Sequence, residues 1–190
     1  MNDEWAKSHK KNGGTCKTEK EGNDFKQALV KAKETQPRPL AWRVDTDFHN
    51  GKDYVGTKTF ISEKGSTFCV TKDGDIISVC VNKFDTMRGS ELMEKAVKAG
   101  GKKLDSYDGN FTFYLKNGFE PVSWVKFDPS YKVKGRRKGR DEEEPIVFFK
   151  YTGKKIKSPD ALELKRKQFY KKVKPSKDYD TAMAIRDKEV

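Results

Sequence analysis

The chain of 190 residues is poor in the side chains that most often announce chemistry. It has three cysteines, Cys16, Cys69 and Cys80, with no CxxC pair, and two histidines, His9 and His49, far apart in sequence. A zinc site draws its ligands from such residues at short, regular spacings, so the sequence predicts no metal site. Cys69 and Cys80 fall on adjacent expected strands. A two-residue turn at Asp73-Gly74 would set Cys69 opposite Ser78 and Cys80 opposite Thr67, which leaves the sulfurs out of register. Free thiols in a reducing compartment are therefore expected. No apolar run approaches the roughly 20 residues of a membrane span. The longest, "IISVCV", is strand-sized, and "MNDEWAKSHKKNGG" lacks the apolar core of a signal peptide. A soluble, cytoplasmic protein with no membrane partner is the expectation.

Charge is abundant. Charged residues make up 37% of the chain against 34% hydrophobic, and 41 Lys plus Arg against 29 Asp plus Glu give a net charge of +12. The mean hydropathy is -0.95. Such a balance favours anionic partners: nucleic acid, an acidic protein face or a phosphate-bearing cofactor. Solubility alone is the plain alternative. The apolar residues concentrate between Leu40 and Tyr151, so the expected organisation is a flexible arm at 1–22, a folded domain at 23–152 and a basic helical tail at 153–190.

Periodicity supplies the elements. "NDFKQALVKAKETQ" has Asn23 or Asp24 as a candidate N-cap and puts Phe25, Leu29 and Ala32 on one helical face, with Pro37 and Pro39 to end it. "LAWRV" reads as a short extended segment. "STFCV" and "DIISVCVN" flank "TKDG" as a hairpin, and the second strand is apolar enough to be central. "SELMEKAVKAGG" is a helix with Leu92, Met93, Ala96 and Val97 inward, closed by Gly100-Gly101. "KKLDSY" is a strand, "NFTFYLKN" a short helix ended by Gly118, and "FEPVSWVKFD" and "IVFFKYT" are antiparallel neighbours joined by a charged loop. The tail centres on "SPDALELKRKQFYKKV", with Leu162, Phe169 and Val173 as one thin docking stripe. These elements make an α/β fold with a mixed, mostly antiparallel central sheet flanked by helices.

From the hairpin onward the layout resembles the GNAT (Gcn5-related) N-acyltransferase superfamily. The resemblance covers roughly Ser66 to Thr152. It is carried by "FYLKNGFEPV", similar to the family's "LYEKLGFxxV", and by "RGSELMEKAVKAGG", which looks like the helix after the family's pyrophosphate loop. The size is similar to that of GNAT-like proteins carried by phages and mobile elements. The resemblance implies a GNAT-like sheet and a cofactor, acetyl-CoA or another acyl-CoA. Its pantetheine arm would pair with the backbone of Ile77, Ser78, Val79, Cys80 and Val81. Its pyrophosphate would meet the amides of Thr86, Met87, Arg88, Gly89 and Ser90, where a helix start favours negative charge. The family's proton donor to the leaving thiolate is the Tyr of "Y-x-x-x-G-F", matched here by Tyr114, Gly118 and Phe119. The family's Q/R-x-x-G-x-G/A loop falls on Phe84, Met87 and Gly89, of which Gly89 alone has the family's residue type. Lys83 and Arg88 add positive charge there, while Asp85 and Glu91 oppose it.

Read without the resemblance, Tyr114 is equally an aromatic of an amphipathic helix beside Phe111 and Phe113. Glu63, Asp75 and Asp105 are available carboxylates, and none stands out as a general base; His49 reads as a loop residue. In the charged loop, Lys132, Lys134, Arg136, Arg137, Lys138 and Arg140 could hold nucleic-acid phosphates or an acidic partner, or be a solvated hairpin extension that "DEEE" neutralises. Three functions stay open: an acyl-CoA-dependent transferase acting on an unidentified amine, a GNAT-shaped protein that binds through its basic loop and tail without catalysis, and an accessory factor docked through its tail.

Overall fold

A computed structural model describes residues 13–190. Residues 1–12 of the arm expected at 1–22 lie outside the described residues. The chain divides into two compact units. The first runs to Gly101 and takes in Lys132–Asp141; the second is Lys102–Tyr131 with Glu142–Val190.

The first unit is built on a four-stranded antiparallel sheet in the order β1-β2-β3-β4. Its strands are β1 (Gly14–Thr15), β2 (Lys58–Ile61), β3 (Thr67–Val70) and β4 (Ile76–Cys80). The part of the expected arm that is described is thus structured, because Gly14 and Thr15 pair with Thr59 and Lys58. Helix α1 (Glu19–Glu34) starts ahead of the suggested Asn23/Asp24 cap. Thr18 is extended and its hydroxyl accepts the Glu21 amide at 3.2 Å, while Glu19 and Glu21 suit a helix N-terminus. The helix buries Phe25, Leu29 and Ala32 as its periodicity predicts. At Gly22 it crosses the 3-10 turn Gly51–Tyr54 so closely that a Cβ would stand 1.9 Å from the Gly51 carbonyl oxygen. The segment "LAWRV" is not extended. Arg38–Ala41 form a one-turn helix, α2, with Pro39 in its first turn, where a fixed φ and a missing N–H cost nothing.

The two faces of this sheet carry different helices. Cys69 and Ile77 pack with Phe25 of α1, with Cys16 and with Tyr54. On the opposite face Phe60 and Phe68 stack at 4.9 Å, and Lys95 of helix α3 (Gly89–Lys98) lies 5.7 Å from the Phe60 ring. Leu92, Met93 and Ala96 of α3 are buried, with Val97 half-buried at the edge of the same stripe.

The second unit has a three-stranded antiparallel sheet in the order β5-β7-β6, from β5 (Lys103–Tyr107), β6 (Phe119–Val125) and β7 (Ile146–Tyr151). Phe149 faces helix α4 (Phe111–Lys116), with its ring 5.5 Å from Phe111 and 5.4 Å from Tyr114. Gly118 turns the chain from α4 into β6 with φ +87°, which a glycine adopts at little cost. The tail forms two helices, α5 (Pro159–Lys172) and α6 (Tyr179–Lys188). Leu162 and Phe169 are buried, and Val173 is half-buried, so the docking stripe read from the sequence is present. Polar groups hold α5 as well. Asp108 accepts from Arg166 Nε at 3.1 Å and from the Tyr170 hydroxyl at 2.6 Å, while Trp124 Nε1 donates to the Val173 carbonyl at 2.8 Å. Helix α6 covers the other face. There Ser123 donates to the Ala182 carbonyl at 2.7 Å, and Tyr179 lies 5.0 Å from Phe148.

The class is mixed α/β, as expected, with every strand ladder antiparallel. Among the described residues no helix is long and apolar enough to cross a membrane. Asp108→Ala strips two donors of a partly buried partner, and is expected to cost about 2 kcal/mol in urea unfolding. Loss of amide protection should come first in α5. An unchanged midpoint would mean that the apolar stripe alone holds the helix.

Candidate functional site

Strand β4, expected to be central, is instead the edge of its sheet, bonded to β3 on one side; its apolar residues Ile77 and Cys80 are explained by packing with α1 and not by a second neighbouring strand. Its register with β3 is irregular. Val70 pairs with Ile76 and Cys69 with Ile77, not with Ser78 as a two-residue turn would have it, and the register then shifts so that Thr67 pairs with Cys80. Ser78 and Val79 therefore oppose Phe68 alone, which is a bulge. Ser78 has φ +55°, the one non-glycine with positive φ among the described residues. Holding it there costs on the order of 1–2 kcal/mol, and two bonds retain it. Its hydroxyl meets that of Tyr54 at 2.8 Å, and its carbonyl accepts from Thr67 Oγ1 at 3.0 Å. The bulge also resets the side-chain alternation. Ile77 packs with the Cys69 cluster and Cys80 with Leu29 and Ala32, so residues three apart share the α1 side. Gln36 of the α1 end donates to the Val81 carbonyl. Ile77, Ser78, Val79 and Val81 are half-buried, and Cys80 is buried.

The chain from Asn82 to Glu91 forms a loop into α3, and carboxylates engage its Met87 and Arg88 amides. Asp85 accepts from the Met87 amide at 2.9 Å and from the Ser62 hydroxyl, which itself accepts the Ser66 amide at 2.8 Å. The Glu91 carboxylate accepts the Arg88 amide at 2.9 Å. Met87 and Arg88 were two of the five amides expected to meet a pyrophosphate. Gly89 opens the helix and Ser90 follows it, half-buried and exposed respectively. Lys83 and Arg88 are exposed, and Lys83 gives its amide to Thr35 Oγ1 at 2.9 Å. Beside the loop lies a cleft of about 380 Å³ in which Glu63, Asp85 and Glu91 face a single Lys95. Burial pushes the Asp85 carboxyl up, and hydrogen bonding, led by the Ser62 hydroxyl and the Met87 amide, more than offsets it, leaving it below the ordinary carboxylate range. Ser62 and Ser66 lie in the β2–β3 turn, some twenty residues upstream of Asp85, so no local pattern in the sequence announces the arrangement.

Tyr114 is a buried member of the second unit, 6% exposed. Its ring is ringed by Phe113, Phe119 and Phe149 at 5.1, 5.8 and 5.4 Å. Burial pushes its phenol up to about 12, against a lowering contribution from a hydrogen bond with Ser106. The phenol is thus fully protonated at neutral pH. Of the carboxylates, Glu63 is exposed, Asp75 half-buried at the start of β4, and Asp105 lies 3.8 Å from Arg186. Arg186 is fully buried under α6 with its guanidinium 5.6 Å over Phe148, a placement that the usual exposure of arginine gave no reason to expect. His49 packs between Phe48 and Tyr54 at 4.8 and 5.7 Å.

The basic loop does not present all six cations alike. Arg137 forks onto Asp141, with Nη2 to Oδ1 at 2.8 Å and Nε to Oδ2 at 3.2 Å, and this pair with the Arg137 amide holds the Asp141 carboxyl down to about 2. Arg136 donates to the Asp141 carbonyl at 3.0 Å and lies 5.8 Å over the Trp42 ring. Lys132, Lys134, Lys138 and Arg140 are exposed, with Lys134 4.0 Å from Asp47. The three cysteines are buried thiols, raised by burial to about 11 at Cys16 and about 12 at Cys69 and Cys80, which makes them poor nucleophiles. No group of His, Cys, Asp and Glu among the described residues could hold a metal ion.

The depressed Asp85 carboxyl ties stability to pH. Its contribution is fully present above the ordinary Asp value near 4 and is lost as pH falls through the lower folded value. Asp85→Asn is expected to cost roughly 1–3 kcal/mol at pH 7 and to flatten the acid side of the stability profile. Equal stability of the two proteins at pH 7 would show that the carboxylate is not holding the loop. Comparison of the chain with family models, with curated proteins and with solved structures finds no match.

Proposed function

We propose that the protein is an N-acyltransferase of GNAT type that moves an acyl group from a pantetheine thioester to an amine. The bulge at Ser78 in the edge strand β4 carries the reading. An edge strand keeps a row of main-chain N–H and C=O groups that its sheet does not use, and these can pair with the two amides of a pantetheine arm. A bulge at the middle of that edge interrupts the ladder, freeing main-chain groups for a thioester carbonyl instead of a strand. Attack by a neutral amine would give a tetrahedral oxyanion, which such main-chain donors stabilise, and collapse would expel the thiolate. The family pattern draws the thiolate's proton from its helix tyrosine, which Tyr114 of the second unit matches, and burial keeps that phenol in the acid form.

Calorimetric titration with acetyl-CoA and with S-acetyl-pantetheine tests the reading, and saturable heat from at least one of them is expected by about 1 mM. Silence from both at that concentration would remove it. Tyr114→Phe should lower thiol release with an amine panel by about 10²-fold while thioester affinity stays near that of the parent. Full turnover in that variant would leave Tyr114 as a core aromatic.

A second reading is favoured by the carboxylates that occupy the loop amides. In it the fold is retained without catalysis, and the protein binds nucleic acid through the exposed Lys132, Lys134, Lys138 and Arg140. It predicts retention of RNA or DNA that falls steeply with salt and weakens in the Lys132→Ala/Lys138→Ala/Arg140→Ala triple variant. Retention indifferent to both would count against it.

A further inference from the structure

We propose that the donor is recognised through its acyl-pantetheine arm alone, and that a nucleotide diphosphate has no binding place at the loop between β4 and α3. The inference rests on the acyltransferase reading. A helix start attracts an anion because its first amides lack partners and its dipole is positive there. At α3 the anions are already present and covalently fixed. Asp85 takes the Met87 amide together with the Ser62 hydroxyl, and Glu91 takes the Arg88 amide.

A diphosphate could gain these amides only by expelling Asp85. That would break two hydrogen bonds to one carboxylate, and bonds to a charged acceptor are the strong kind. The alternative is to lie in the cleft alongside the carboxylates. Like charges at such range repel by more than a helix N-terminus attracts. Among the described residues that line the cleft, Glu63, Asp85 and Glu91 outnumber the one cation, Lys95, so the balance there is repulsive. The missing glycine at Met87 agrees with this. With a carboxylate in place, no phosphate oxygen has to approach the backbone, and nothing demands the residue type that allows it.

What remains for recognition is the β4 edge, which suits an extended amide-bearing arm and is indifferent to what lies beyond it. Two sources carry such an arm: coenzyme A, and the phosphopantetheine of an acyl carrier protein. The net charge of +12 suits the second, since carriers of this kind are acidic partners.

The test is a binding series on the full chain with S-acetyl-pantetheine, acetyl-CoA, acetyl-loaded carrier protein and inorganic diphosphate as probes. Acetyl-CoA and S-acetyl-pantetheine should bind within about threefold of each other, and diphosphate at millimolar concentration should not compete with either. Carrier protein binding about tenfold or more tightly than S-acetyl-pantetheine, with an affinity that falls with salt, makes the carrier the donor source. Carrier binding no tighter than S-acetyl-pantetheine makes it the free thioester, and either result keeps the proposal. Acetyl-CoA binding about tenfold or more tightly than S-acetyl-pantetheine, with competition by diphosphate, overturns the inference and leaves the acyltransferase reading standing. No binding of any thioester removes both.

Discussion

One carboxylate organises the surroundings of β4. Asp85 gathers donors from the β2–β3 turn through Ser62, whose hydroxyl is held by the Ser66 amide, and from its own loop through Met87. It thereby fixes the path by which the chain leaves the sheet and enters α3, and Glu91 completes the turn from inside the helix. The physics is that of an anion site. Donors converge, a helix dipole points the same way, and the carboxyl is held in its charged form. The anion, however, belongs to the chain. A loop that would be poised for phosphate is neutralised before any ligand arrives, so in the acyltransferase we propose, affinity for the donor comes from elsewhere, which shifts the weight onto the β4 edge.

That edge has its own constraint. Ser78 sits in a backbone region that L-residues avoid, and the Tyr54 hydroxyl and the Thr67 side chain keep it there. The consequence reaches the core, because the bulge is what lets Ile77 and Cys80 face the same helix. Packing therefore protects the irregularity: ironing it out would turn one of those two side chains away from α1. The second unit shows a comparable use of polar groups. Asp108 ties down α5 through Arg166 and Tyr170, and α6 brings a fully buried Arg186 to Asp187 at 2.9 Å and to Asp105. A strongly basic surface thus coexists with internal acids that hold particular arginines.

Legibility in the sequence follows the range of the signal. The "TKDG" hairpin, the α3 stripe of Leu92, Met93 and Ala96, the Gly118 turn and the strands on either side of the charged loop are all written in local pattern, and each is found where that pattern puts it. β2 is not, because four residues in a turn-rich stretch show little periodicity and become a strand by pairing with β3. "LAWRV" misleads because its apolar, extended-looking composition outweighs Pro39, which is at home in the first turn of a helix. The docking of α5 is half legible. Leu162 and Phe169 give the stripe away, but Arg166 and Tyr170 look like a solvated face until Asp108 is placed against them. At the candidate site the residue types are legible and their engagement is not. The missing glycine at Met87 signals a departure, whereas the capture of its amide by Asp85 depends on Ser62 and Ser66 arriving from another turn.

The most direct test of that capture is an NMR titration of the Met87 and Arg88 amides. The captured Met87 amide should follow the protonation of Asp85, with a midpoint below the ordinary Asp value near 4, and neither amide should respond to millimolar diphosphate at pH 7. Saturable shifts of both amides on adding diphosphate, with no response to carboxylate protonation, would contradict the account and return the loop to service as a phosphate site.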